Sequence, residues 1–214
     1  MQRKPVIVNI IIALNAVVFF LWYSSKVPQN AFMADNFLVS WTGLQEGRYW
    51  TLLTSVFSHN MLWHLLINMF VLRSFGGIIE LVAGRKFFIL FYLFAGIFSS
   101  LCHCLVSAYL LDRPGLPALG ASGAIAGLVL LFSLMFPKEK ILLLGIIPLP
   151  ALFGALAFIA LDIWGLVAQA EGGGLPIGHG AHLGGALAGI LSYFFIIRKR
   201  MRRARVARNH SPIS

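Results

Sequence analysis

Charge is scarce in this 214-residue chain: 11% of residues are charged, with 7 acidic side chains against 17 lysines and arginines. At 59% hydrophobic residues there is too little polar surface for a domain facing water, so the chain reads as embedded in a bilayer. Cysteine is nearly absent. Cys102 and Cys104 stand one residue apart in an apolar run, where disulfide geometry is poor, and a disulfide framework is excluded. The chain also lacks H-E-x-x-H, and no inward carboxylate follows its histidines at ligand spacing, so a zinc protease is set aside. Cys102-His103-Cys104 is too compressed for one tetrahedral site and reads as helix packing. No metal or cofactor is expected. No repeat, linker or low-complexity stretch divides the chain.

What the chain has is long apolar runs. A spanning helix needs roughly 20 mostly apolar residues, and six segments approach that: about 6–23, 61–82, 87–109, 122–136, 149–169 and 179–197. The first run, Val6 to Tyr23, is too long for a signal-peptide core and no A-x-A-like site follows it directly, so it reads as a retained helix. The connection 24–58 carries Trp41, Tyr49 and Trp50, amphipathic aromatics suited to the headgroup level.

Basic residues set the topology. Placing both termini and the loops 83–86 and 137–140 on one side gathers thirteen lysines and arginines there and leaves Lys26, Arg48 and Arg113 opposite. By the positive-inside rule both termini face the cytoplasm, which demands an even number of spans. The expectation is an all-α membrane protein, a six-helix bundle over residues 1–200 with a basic cytoplasmic tail at 201–214. Seven basic residues, Arg198, Lys199, Arg200, Arg202, Arg203, Arg205 and Arg208, follow the last span and suit anionic lipid. No aromatic stacking platform interleaves them, so nucleic acid is not expected as a partner.

Polar side chains inside membrane helices are costly and tend to face the bundle interior. Counting ~1.5 Å per residue from the cytoplasmic helix ends puts Ser122 at ~21 Å, His182 at ~22 Å, Asn68 at ~21 Å and His64 at ~27 Å. In a hydrocarbon core ~30 Å thick, three of these share one level beneath the outer surface. Gly185, Ala186 and Gly189 lie within about 60° of His182 around its helix. This small-residue stripe meets matching small residues Gly123, Ala124, Ala126 and Gly127 after Ser122, a pattern that permits close helix contact.

Gly120-Ala121-Ser122-Gly123 opens the fourth helix, where unpaired N–H donors can stabilise a developing oxyanion. Alone this pattern favours capping, because serine is a preferred N-cap. His182 alone favours a packed, hydrogen-bonded core histidine. Level with each other and on facing small-residue surfaces, they read better as nucleophile and general base. His64 and Asn68, one helical turn apart, can both donate toward a charged carbonyl oxygen. His59 reads as a loop anchor, and His179 has no assigned role. Asp162 lies at a depth similar to Ser122, where orienting His182 or hydrating the site is one reading; a helix-packing or interface role fits at least as well, and it stays outside the catalytic set. Arg73 needs a partner, for which Glu80 seven residues on is the candidate.

At these residues the chain resembles the rhomboid intramembrane proteases. Thr51-Leu-Leu-Thr-Ser-Val-Phe-Ser-His59, His64-x3-Asn68-Met69, Gly76-Gly77 with Glu80, Gly120-Ala-Ser-Gly123 and Gly180-Ala-His-Leu-Gly-Gly185 occur in family order over nearly the whole core. Their wording looks closest to the branch that includes the mitochondrial members. No transit peptide or extra helix precedes them, and a bacterial inner membrane is the expected location. The resemblance implies an intramembrane serine endopeptidase that cleaves transmembrane substrates near the outer surface. Ser122 would be the nucleophile and His182 the base, with His64, Asn68 and the Ser122 N–H as oxyanion hole. The alternative is a noncatalytic relative that binds client helices, although such relatives typically lack the dyad. A channel or transporter is disfavoured because the polar groups bunch toward one face. Two departures stand out. The family's Trp-Arg pair is Trp50-Thr51, with Arg48 nearby, and a tyrosine that stacks on the histidine in some members is Ala126, leaving His182 without that support.

Overall fold

The computed structural model describes residues 4–24, 27–143 and 147–209. Arg3 and Lys26 of the charge count, the tail end 210–214, and the side chains of Arg205 and Arg208 lie outside what is described. The chain is mostly helical. Helix α1 (Ile7–Tyr23) leads to three short helices, α2 (Val27–Phe37), α3 (Trp41–Gln45) and α4 (Thr51–Thr54). Helix α5 (Leu62–Val71) runs through a π turn at Leu72–Gly76 into α6 (Gly77–Ala83), followed by α7 (Arg85–Tyr109) and α8 (Ser122–Met135). Strands β1 (Lys140–Leu143) and β2 (Ile147–Pro150) then precede α9 (Ala151–Ala170), α10 (His179–Ser192) and, after a second π turn, α11 (Arg198–Asn209).

Among the described residues, four continuous helical stretches are long and apolar enough to cross a membrane: Leu62–Ala83, Arg85–Tyr109, Ala151–Ala170 and His179–Arg203. Helices α1 and α8 are apolar but shorter. The 14 residues of α8 reach only ~21 Å. It stands at the centre, packed by α7, α9, α10 and the α5 π turn, with Gly123 through Leu128 all buried. Outward faces carry apolar side chains such as Val17, Phe20, Ile67, Phe70, Phe94 and Trp164. A hydrocarbon solvent explains that inversion.

The all-α expectation needs one correction. The helix expected over about 149–169 begins at Ala151, and the residues before it pair as an antiparallel hairpin, with Ile141 opposite Leu149 and Lys140 opposite Pro150. Pro148 and Pro150 lack the N–H that a helix interior uses, and they suit a short two-stranded edge instead. The 24–58 connection is likewise structured. There Arg48 pairs with Asp35 of α2 and with Glu46, which gives this loop an anchor without the Trp-Arg pair.

Glycine decides the central packing. A Cβ on Gly185 of α10 would fall on the Gly123 carbonyl of α8, and one on Gly127 would lie 2.7 Å from the Gly185 carbonyl oxygen. The two backbones therefore touch with no side chain between them. At the end of the bundle that carries the chain start, Glu80 is buried and accepts hydrogen bonds from the backbone N–H groups of Val6, Ile7 and Val8 at 2.7, 3.0 and 2.9 Å. It thus caps α1, where a carboxylate meets the positive end of the helix dipole. Glu80 is not the partner of Arg73, whose Nη1 lies 3.4 Å from Asn9 Oδ1. Two helical turns separate Arg73 from Glu80, and the three N–H donors occupy the carboxylate.

Gly185→Ala should lower the unfolding midpoint in detergent, by on the order of 1–3 kcal/mol, because backbone must move to admit one methyl. Glu80→Gln should cost roughly 1–2 kcal/mol in the same assay, through a weaker cap on α1.

Candidate active site

The loop from Leu110 to Ala121 delivers Ser122, and it is pinned at several points. Val39 and Ala118 exchange N–H···O bonds of 2.9 and 2.8 Å, Gly120 N–H donates to Ser55 O at 2.9 Å, and His103 Nε2–H donates to Leu116 O at 3.0 Å. His103 thus has a role beyond packing. Gly120 has φ +120°, and a Cβ there would run into the His64 ring. Only glycine fits both demands. His59, fully buried, accepts a 3.4 Å hydrogen bond from Ala121 N–H at Nε2 and lies edge-on to His64 at 4.8 Å. Burial foremost, and the neighbouring His64 imidazole second, push the His59 imidazole down to about 3. It stays neutral, as an acceptor of the Ala121 N–H must.

From the first residue of α8, Ser122 Oγ lies 3.0 Å from Nε2 of His182, which stands one turn into α10. The other ring nitrogen is also engaged. His182 Nδ1 is 3.0 Å from Oδ1 of Asp162, and the same oxygen is 2.7 Å from His179 Nδ1. A carboxylate only accepts, so His182 Nδ1 carries the proton and Nε2 presents its lone pair to the serine hydroxyl. Phe158, one turn before Asp162, lays its ring 5.5 Å from that of His182 at 32°.

Ser122, His182, His64 and Asn68 all line one cavity of about 1070 Å³. Its walls turn apolar at Ile67, Val71 and Phe75 on the α5 side and Phe158 on α9. Asn68 Nδ2 donates to His64 O at 2.8 Å within its own helix, so its second amide hydrogen is the one available to a bound carbonyl. Asp162, kept outside the catalytic set with orientation of His182 as one of its two readings, contacts both histidines. His179 had no role and holds the carboxylate. His182, which Ala126 leaves uncovered on the α8 side, is covered by Phe158 from α9. The spacing carried part of this signal: His179 and His182 are three apart and share a helical face, as do Phe158 and Asp162 at four apart.

Asp162, His179 and His182 bring three potential ligand atoms within 4.8 Å of one another. A cation there would take Nδ1 of His182 and force the proton onto Nε2, turning the acceptor that faces Ser122 into a donor. Metal binding at these three residues and proton abstraction by His182 are mutually exclusive.

Residues 46–199 match the family model described as Rhomboid domain. The chain belongs to the rhomboid family. It is an integral, multi-pass membrane protein. Among the relatives of this rhomboid, "RHOMBOID-like protein 12, mitochondrial" of Arabidopsis thaliana is 32% identical over 214 residues, covering 94% of this chain and 61% of its own. "Rhomboid protein 1, mitochondrial" of Saccharomyces cerevisiae is 33% identical over 211 residues, covering 94% and 57%. "Presenilin-associated rhomboid-like protein, mitochondrial" of Homo sapiens is 35% identical over 182 residues, covering 84% and 45%. The chain spans about half the length of the curated relatives it matches. The resemblance to the mitochondrial branch holds, whereas the expected bacterial inner membrane gains no support from relatives named for mitochondria.

His59 makes the fold sensitive to acid. Its folded value, about 3, lies below the unfolded 6.5, so the unfolded chain takes the proton first. Its contribution is complete above about 6.5 and is lost progressively as pH falls toward 3. Melting temperatures in detergent should drop across that window, and His59→Gln should flatten part of the slope.

Proposed function

We propose that this rhomboid is an intramembrane serine endopeptidase that cleaves transmembrane helices of membrane-protein substrates. The observation carrying the reading is the 3.0 Å contact between Ser122 Oγ and His182 Nε2 in a cavity beneath the helix ends. Ser122 attacks a substrate carbonyl as its proton passes to His182 Nε2. The tetrahedral oxyanion takes hydrogen bonds from the Ser122 N–H, His64 and Asn68. His182 then protonates the leaving amine, and water resolves the acyl-enzyme by the reverse proton path. A helix must unwind locally to expose its carbonyl, which favours small or helix-destabilising residues at the cleaved bond.

The bundle sits with six spans and both termini in the cytoplasm. Supporting this, the α1 start packs on Glu80, Arg85 Nε lies 3.5 Å from that carboxylate, and Arg200 lies 5.4 Å over the Phe87 ring, so one end gathers the basic residues. The short α8 begins below the opposite surface, leaving headroom for water above Ser122. The basic tail rests on anionic lipid.

Reconstituted with a single-span substrate, the wild-type chain should cleave, and Ser122→Ala and His182→Ala should not. Asn68→Ala should lower kcat roughly 10²-fold. Cleavage that survives Ser122→Ala would sink the mechanism. A wild-type chain that binds varied client helices without cutting any would favour the noncatalytic alternative.

A further inference from the structure

We infer that Asp162 is a positioning residue that sets the tautomer of His182, and that α9, through Asp162 and Phe158, supplies the support absent at Ala126. This rests on the Ser122–His182 reading above. Asp162 is the single charged residue of α9 and is 4% exposed among apolar neighbours. A carboxylate so placed costs several kcal/mol unless donors compensate it. The donors present are the two imidazole N–H groups on Oδ1, at 2.7 and 3.0 Å. Burying it solely to pin α9 onto α10 would be a costly choice, since an apolar contact would serve.

The geometry assigns a sequence of constraints that ends on the serine. Gly165, three residues after Asp162, leaves the space in which the His179 ring lies, since a Cβ there would overlap that imidazole. His179 holds the carboxylate from one side. The carboxylate takes the Nδ1 proton of His182 from the other, so the lone pair at Nε2 faces Ser122 Oγ at 3.0 Å. Phe158 covers the face of the same ring at 5.5 Å. The imidazole is gripped at one edge and one face by residues of a single helix. Without Asp162 nothing at Nδ1 selects the tautomer, and molecules with Nε2–H have no base for the serine.

The test uses the full chain in liposomes with a single-span substrate, comparing wild type, Asp162→Ala and Asp162→Asn. The asparagine variant keeps the shape of the site should the alanine variant fold poorly. Both should lose roughly 10²-fold in kcat with KM within about twofold. Nitrogen-15 histidine spectra, with His182 assigned by its loss in His182→Ala, supply a readout that packing alone would not move. The Nδ1–H signal of His182, shifted downfield by the carboxylate, should be present in wild type and lost in Asp162→Ala. The inference is overturned by a kcat within about threefold of wild type, or by a loss of kcat with unchanged His182 ring signals. Cleavage by Ser122→Ala would instead defeat the parent mechanism, while the ring signals, independent of turnover, would still decide the role of Asp162.

Discussion

The backbones of α8 and α10 meet directly at Gly123, Gly127, Gly185 and Gly189, and the remainder of the site hangs on that contact. Ser122 stands at the first residue of one helix and His182 in the first turn of the other. Side chains as short as serine and as rigid as histidine bridge two helices only when their axes are close. Inside hydrocarbon the hydrophobic effect does not press helices together, so packing of small residues must supply the approach. The same glycines that would weaken a helix in water are here the condition for a hydrogen bond between side chains 60 residues apart.

A second constraint is that buried carboxylates in the membrane zone find partners within the protein. Glu80 and Asp162, both buried, are satisfied by N–H donors: the free N-terminus of α1 in one case and two imidazoles in the other. Helix α1 is also held at its opposite end, where Trp22 Nε1–H donates to Ser58 Oγ and Tyr23 OH donates to Asn60 O, both at 2.8 Å. Fastened to both flanks of the α5–α6 stretch, it behaves as part of the frame.

How much of this was legible in sequence follows from what periodicity encodes. Depth is linear in residue number, so counting brought Ser122, His182 and Asn68 to one level, and the small-residue stripes named the faces that meet. Azimuth between helices that are not neighbours in sequence is not encoded that way. Depth alone leaves Asp162 between orienting His182 and plain helix packing. The partner of Glu80 was hidden for a related reason, because the free N–H groups at the start of α1 are backbone and carry no side-chain letter. The hairpin has a local signal that hydropathy overrides: Ile147-Pro148-Leu149-Pro150 is apolar enough to extend a helix, but its prolines forbid it.

Val71 and Phe75 on the α5 side and Phe158 on α9 line the same cavity. Phe158 and Asp162 also hold the His182 ring, one at its face and the other at Nδ1. Wall and clamp are therefore one helix, and a displacement of α9 that widened the cavity would loosen the imidazole in the same movement.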